Sequence, residues 1–106
     1  MSVLNLTTNA SSSVGSTAYN WTYTQNTGSV VANTSLTNNT TNVSTFNYPA
    51  AITYVPGGTS GTYSFVFQCS ATDSGVANCV AIKDITLFFN VTPPSCTITL
   101  SNITVA

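Results

Sequence analysis

The chain has 106 residues, 42% of them hydrophobic and only 3% charged, with no histidine and a net charge of −1. That length supports one domain with one small core, and the apolar share with so little charge excludes the usual composition of disordered chains. A single lysine cannot neutralise a run of phosphates, which excludes nucleic acid and an anionic membrane as partners, and no stretch approaches the ~20 apolar residues of a spanning helix.

Little charge also means little repulsion between copies, a condition that favours association. The chain is expected to work within an assembly, in an array of repeats or under a coat of glycan. Its start, MSVLNLTTNASSS, has neither the basic n-region nor the 7–15-residue apolar h-region of a signal peptide. The expectation is a mature fragment with an added Met, or a product that acts outside a cell without the ordinary secretion route.

Along the chain the readable period is two, the period of strands. In AYNWTYTQ, Tyr19, Trp21 and Tyr23 share one face while Ala18, Asn20 and Thr22 share the other. The next segment carries short apolar pieces, Val30–Val31, Val43–Phe46 and Ile52–Val55, separated by Asn, Gly and Pro. TYSFVFQC alternates again, with Tyr63, Phe65, Phe67 and Cys69 on one face. VAIKDITLFFNV alternates as Val80 and Ile82, then out of phase as Ile85, Leu87, Phe89 and Val91. A bulge near Lys83 and Asp84 is expected to absorb that change of face. Short strands with turn signals every 8–12 residues predict an all-β sandwich or barrel, and no stretch longer than a turn reads as helix.

Two elements carry a family resemblance: Tyr19-Asn20-Trp21 on the early strand and Gly61-Thr62-Tyr63-Ser64-Phe65 at a later corner. Over roughly residues 14 to 92 the chain resembles the polycystic-kidney-disease-like (PKD-like) and related immunoglobulin-like repeats of Bacteroidota surface proteins or their phages. WTYTQNTGS stands where the better-defined members have Trp-Asp-Phe-Gly-Asp-Gly. The resemblance implies an immunoglobulin-like antiparallel β-sandwich over residues 1–92, with Trp21 in the core of a central strand and Tyr63 at the corner between sheets. Core packing of Trp21, Tyr63, Phe65 and Phe67 is weighed against a sugar-stacking platform made by Tyr19, Trp21 and Tyr23. The middle of an alternating run favours the core.

Cys69 and Cys79 fall at the end of one strong strand and the start of the next, so an antiparallel pair is expected to bring them close enough for a disulfide that clips the loop between them. Cys96 is then left over, free, buried or bridging to another subunit. Zinc generally takes four ligands, and three separated cysteines without histidine do not supply them. Two separated aspartates support at most a weak calcium site. Catalysis fares no better. A Ser or Cys nucleophile has only Lys83 or one aspartate for a base, and Asp73 in a loop does not face Asp84 on the next strand. No catalytic, cofactor or metal site is expected, and Lys83–Asp84 reads as a solvated pair at an edge or bulge.

Asn-x-Ser/Thr occurs at Asn5, Asn9, Asn20, Asn33, Asn38, Asn39, Asn42, Asn90 and Asn102. Neutral polar outer faces explain this pattern more simply than glycosylation. Beyond Pro93 and Pro94, which end the sandwich, residues 93–106 read as one more strand or tail. Ile98 and Leu100 alternate in one phase, Ile103 and Val105 in the other. That strand pairs with its own sheet, adds to a neighbouring subunit, or begins a following repeat, with the N-terminal SVLNLTT as partner or competitor.

The functional expectation is a non-enzymatic, surface-displayed structural or adhesive module, of the decoration or fibre type in a phage virion. A repeat of a Bacteroidota cell-surface adhesin and a filament subunit polymerising by strand exchange are the alternatives. Its partners would be copies of itself, other structural subunits or cell-surface glycans, at a virion surface or outside a cell.

Overall fold

A computed structural model describes residues 1–11, 14–56, 63–91 and 97–104. Gly61 and Thr62 of the corner motif, the Pro93–Pro94 pair, Cys96 and Val105 lie outside the described residues. Seven strands make up the fold: β1 Ser2–Thr7, β2 Thr17–Thr27, β3 Ser35–Thr37, β4 Val43–Tyr48, β5 Ile52–Val55, β6 Tyr63–Asp73 and β7 Val80–Val91. They form two antiparallel sheets, β1-β4-β3 and β2-β6-β7-β5, so the protein is all-β with a sandwich arrangement.

Alternation explains why these segments are strands and which faces they bury. On β6 the inward set contains Phe65, Phe67 and Cys69; on β2 it is Tyr19, Trp21 and Tyr23; on β7 it ends in Leu87 and Phe89. From the smaller sheet, Phe46 is fully buried and its ring meets Tyr23, Phe65, Phe67 and Phe89 of the larger one at centroid distances of 4.9–5.9 Å. Edge-to-face and tilted pairs like these add to the area they bury. Trp21 is 5% exposed and its indole N–H donates to the Thr41 carbonyl at 2.8 Å, while its backbone N–H donates to the Asn39 carbonyl. The loop before β4 is thereby tied to the edge of β2. Two fully buried hydroxyls are also matched: Ser44 donates to the Thr37 carbonyl, and Ser64 pairs with Thr27.

Asparagine does more here than spread polarity over the surface. Asn33, Asn38 and Asn78 all hold positive φ, at 62°, 55° and 62°. Among non-glycine residues Asn accepts that conformation most readily, because its short side chain bonds locally.

Two expectations are corrected, on Val30–Val31 and on the bulge in β7, and two sets of alternatives are narrowed. Val30–Val31 forms no strand; these residues lie in the loop between β2 and β3, and Val30 is almost wholly exposed. The N-terminal stretch is not the partner of the C-terminal one, because it pairs with β4 from Ser2↔Tyr48 to Thr7↔Val43. Residues 97–104 join neither sheet, and Ile98, Leu100 and Ile103 are 80–89% exposed. No bulge interrupts β7, whose pairing with β6 runs in regular register from Phe89 through Asp84 and Lys83 to Val80. The change of phase stays in the strand, which leaves Val80 and Ile82 on the outer face. The register shift occurs in β2 instead, between Gln25 and Thr27.

Candidate functional site

The three charged side chains are the natural place to look for chemistry, and they do not converge. Lys83 and Asp84 are consecutive on a regular strand, so they point to opposite faces of the sheet. Asp73 ends β6 and is 8% exposed. Its carboxylate accepts the backbone N–H groups of Gly15 at 2.7 Å, Gly75 at 2.9 Å and Val14 at 3.1 Å. Beside it, Ser74 accepts from the Ser16 N–H through its hydroxyl and donates its own N–H to the Ser16 carbonyl. Gly15 and Gly75 touch back to back: a Cβ on Gly15 would fall 2.6 Å from the Ser74 hydroxyl and 2.8 Å from the Asp73 carboxylate. Asp73 thus clasps the loop before β2 onto the β6–β7 turn. No signal within TDSG reveals this, because the partners lie nearly sixty residues upstream.

The cysteines do not pair as expected. Both Cys69 and Cys79 are free thiols, the first buried and the second exposed. Cys69 faces Lys83 across the ladder, whereas the carbonyl of Cys79 accepts from the N–H of Asp73. Four residues of strand separate those levels, roughly 13 Å, against a Cα separation of under ~7 Å for a disulfide. The expectation places the end of the strand at Cys69, but β6 runs on to Asp73 and carries the turn away with it. Burial pushes the Cys69 thiol pKa up, with a smaller opposing effect from a backbone hydrogen bond at Asn20. It is therefore a poor nucleophile. Alkylation of the native protein should modify Cys79 and spare Cys69 until the chain is unfolded. A peptide containing Cys69 linked to Cys79 in a non-reducing map would overturn this register.

Near the β6–β7 turn, residues 8–11 cross the inner face of the larger sheet. They leave two clefts of about 200 and 320 Å³ against Ala71, Ala81, Cys69 and Lys83. The small side chains of Ala71 and Ala81 create this space where Phe65 and Phe67 fill it further along.

The other feature that invites a partner is β7 itself. On the side away from β6, its last residues pair with β5, from Phe88↔Val55 to Val91↔Ile52. Among the described residues, no strand pairs with Val80–Leu87 on that side. Along this open edge Val80 is 50% exposed, Ile82 57% and Ile85 49%. An exposed strand edge is a template for another strand. The long dimension of the molecule is 88 Å, about twice the ~40 Å that twelve residues of strand span, so the chain reaches well beyond its sandwich.

The residues singled out from sequence fall into three groups. Trp21, Phe65 and Phe67 share one buried core, with Tyr63 half-buried at its margin. Cys69 and Cys79 are kept apart. Ile98, Leu100 and Ile103 stand off the sheets with their side chains in solvent. Phe46, at the centre of the ring cluster, belongs to none of these groups, because it lies in a short apolar piece whose inward alternation includes a serine. No family model matches the chain, and no curated protein or solved structure proves similar to it.

Proposed function

We propose that the chain is a non-enzymatic, surface-displayed structural module of immunoglobulin-like, PKD-like type, built into a larger assembly. The assembly we favour is a phage virion, with the chain as a decoration or fibre component. The observation that carries this reading is the open, apolar edge of β7 together with an exposed C-terminal segment of alternating apolar residues. Both are surfaces that a partner subunit would cover. The chemistry of the charged groups supports the same reading. One carboxylate is committed to three backbone N–H groups, the other faces away from the lysine, and the buried thiol has a raised pKa.

Tyr23 favours assembly over sugar stacking. Its half-buried ring packs on the core against Phe46 and Phe67, and its hydroxyl pairs with Thr34, which supports packing over a stacking platform. A second reading, a filament subunit that exchanges strands, is favoured by the detached C-terminal segment.

Immunogold labelling with antibody against the folded chain separates the virion from the cell surface. Gold on particles released by lysis is the expected result. Gold confined to the envelope of intact cells would replace the virion reading with that of a surface adhesin.

A further inference from the structure

The open edge of β7 and the C-terminal segment share one pattern. Along the open part of β7, Val80–Leu87, the large apolar residues are Val80, Ile82, Ile85 and Leu87; in the terminal segment they are Ile98, Leu100, Ile103 and, in the sequence just beyond the described residues, Val105. Each set has spacings of two, three and two, so each strand changes face at its middle. A strand that changes face without a bulge presents apolar side chains on both sides of the sheet, and it finds few partners. It is matched by a second strand with the same change.

Resting on the reading of the chain as an assembly module, we infer that the C-terminal segment of one copy adds as a strand to the β7 edge, Val80–Leu87, of a second copy. The spacing reads the same in both directions, so the antiparallel ladder, the more stable of the two, is available without loss of match. In that register Ile98 lies opposite Leu87, Leu100 opposite Ile85, and Ile103 opposite Ile82. Ser101 and Asn102 then meet Asp84 and Lys83, and Thr99 meets Thr86. Each large apolar residue faces another, the small Ala81 faces Thr104, and each charged residue faces a neutral polar one.

The edge charges have a use in this arrangement. A Lys on an edge ordinarily deters strand addition, but here a shift of one residue sets Leu100 or Ile103 beside a charge and moves every side chain to the wrong face. Lys83 and Asp84 thereby select the register. The added strand continues the row that β5 begins, since β5 ends opposite Phe88. Within one copy the segment lies apart with its side chains in solvent, and the partner that supplies the edge is therefore a second copy. Main-chain pairing to an open edge, with alternate side chains giving specificity, is an established mode of recognition.

Two full-length variants test this. Val80→Asp with Ile82→Asp blocks the edge on its exposed outer face, and Ile98→Asp with Leu100→Asp blocks the segment. By sedimentation, the unaltered chain should form dimers or longer chains, and each variant should be monomeric with unchanged circular dichroism. Mixing the two should restore a one-to-one pair and nothing larger, because only one intact edge and one intact segment remain. A labelled peptide of residues 97–106 should bind the segment-blocked variant, and a scrambled peptide should not. An unaltered chain that stays monomeric up to millimolar concentration, or variants that fail to pair on mixing, would overturn the inference. So would a peptide that does not bind. Gold-labelled particles with a monomeric chain would sink this contact alone, and oligomers without particle labelling would sink the virion reading and leave the contact standing.

Discussion

Phe46→Ala should destabilise the protein by about 3–5 kcal/mol, the range for emptying a buried aromatic site. Phe46 is fully buried and is the central ring between the two sheets, in contact with Tyr23, Tyr48, Phe65, Phe67 and Phe89, while Tyr48 makes one further contact across to Phe89. The rings around it come from four different strands, so they cannot close on the gap without moving a backbone. A domain of this size has a total stability of about 5–15 kcal/mol, and the loss should lower Tm by at least ~12 °C. Thermal unfolding followed by near-ultraviolet circular dichroism measures it, with Ile82→Ala on the exposed face of β7 as the control, expected within about 0.5 kcal/mol of the parent. A loss below about 1 kcal/mol for Phe46→Ala, far under the range for a buried ring, would mean that the sheets do not pack through it.

Asp73→Ala is expected to cost about 3 kcal/mol, since hydrogen bonds to a charged group contribute about 1.5–3 kcal/mol each before the losses overlap. Its carboxylate receives three N–H groups. Water can reach part of the vacated site, which holds the figure below the sum. Gly15→Val should have a similar effect from the other side of the contact, since its Cβ would collide with the Ser74 hydroxyl and the Asp73 carboxylate. The two together should cost little more than either alone, because both release the same loop, and residues that share one contact are not additive. Denaturant unfolding of the two single variants and the double variant reads this coupling. Fully additive losses would show that the loop is not held by Asp73.

How much of this is legible in the sequence depends on where each partner lies. Alternation suffices for β2, β6 and β7, because Trp21, Phe65, Phe67 and Phe89 sit in runs of period two and need no knowledge of the other sheet. β4 shows only as a short apolar piece, since its inward set is Ser44, Phe46 and Tyr48 and the serine breaks the pattern. Ser44 is tolerated in the core because it donates to the Thr37 carbonyl, a contact that periodicity cannot anticipate. The end of β6 is hidden for a related reason. SATD looks like the beginning of a loop, yet Asp73 is buried by backbone N–H groups from a distant segment. The phase change in β7 is legible as a change of face. A bulge and an exposed apolar pair both satisfy it, and only the pairing with β6 distinguishes them.

The clasp between the β6–β7 turn and the loop before β2 also bears on how this protein's relatives should be read. Gly15, Asp73 and Gly75 meet so closely that a change at any one requires compensation at another. Selection for folding alone would hold all three fixed through divergence while the β7 edge and the C-terminal segment drift together with their partners. In an alignment, an invariant acid flanked by invariant glycines ordinarily suggests a binding loop. Here that invariance would record a joint in the scaffold, and the covarying positions would mark the working surface.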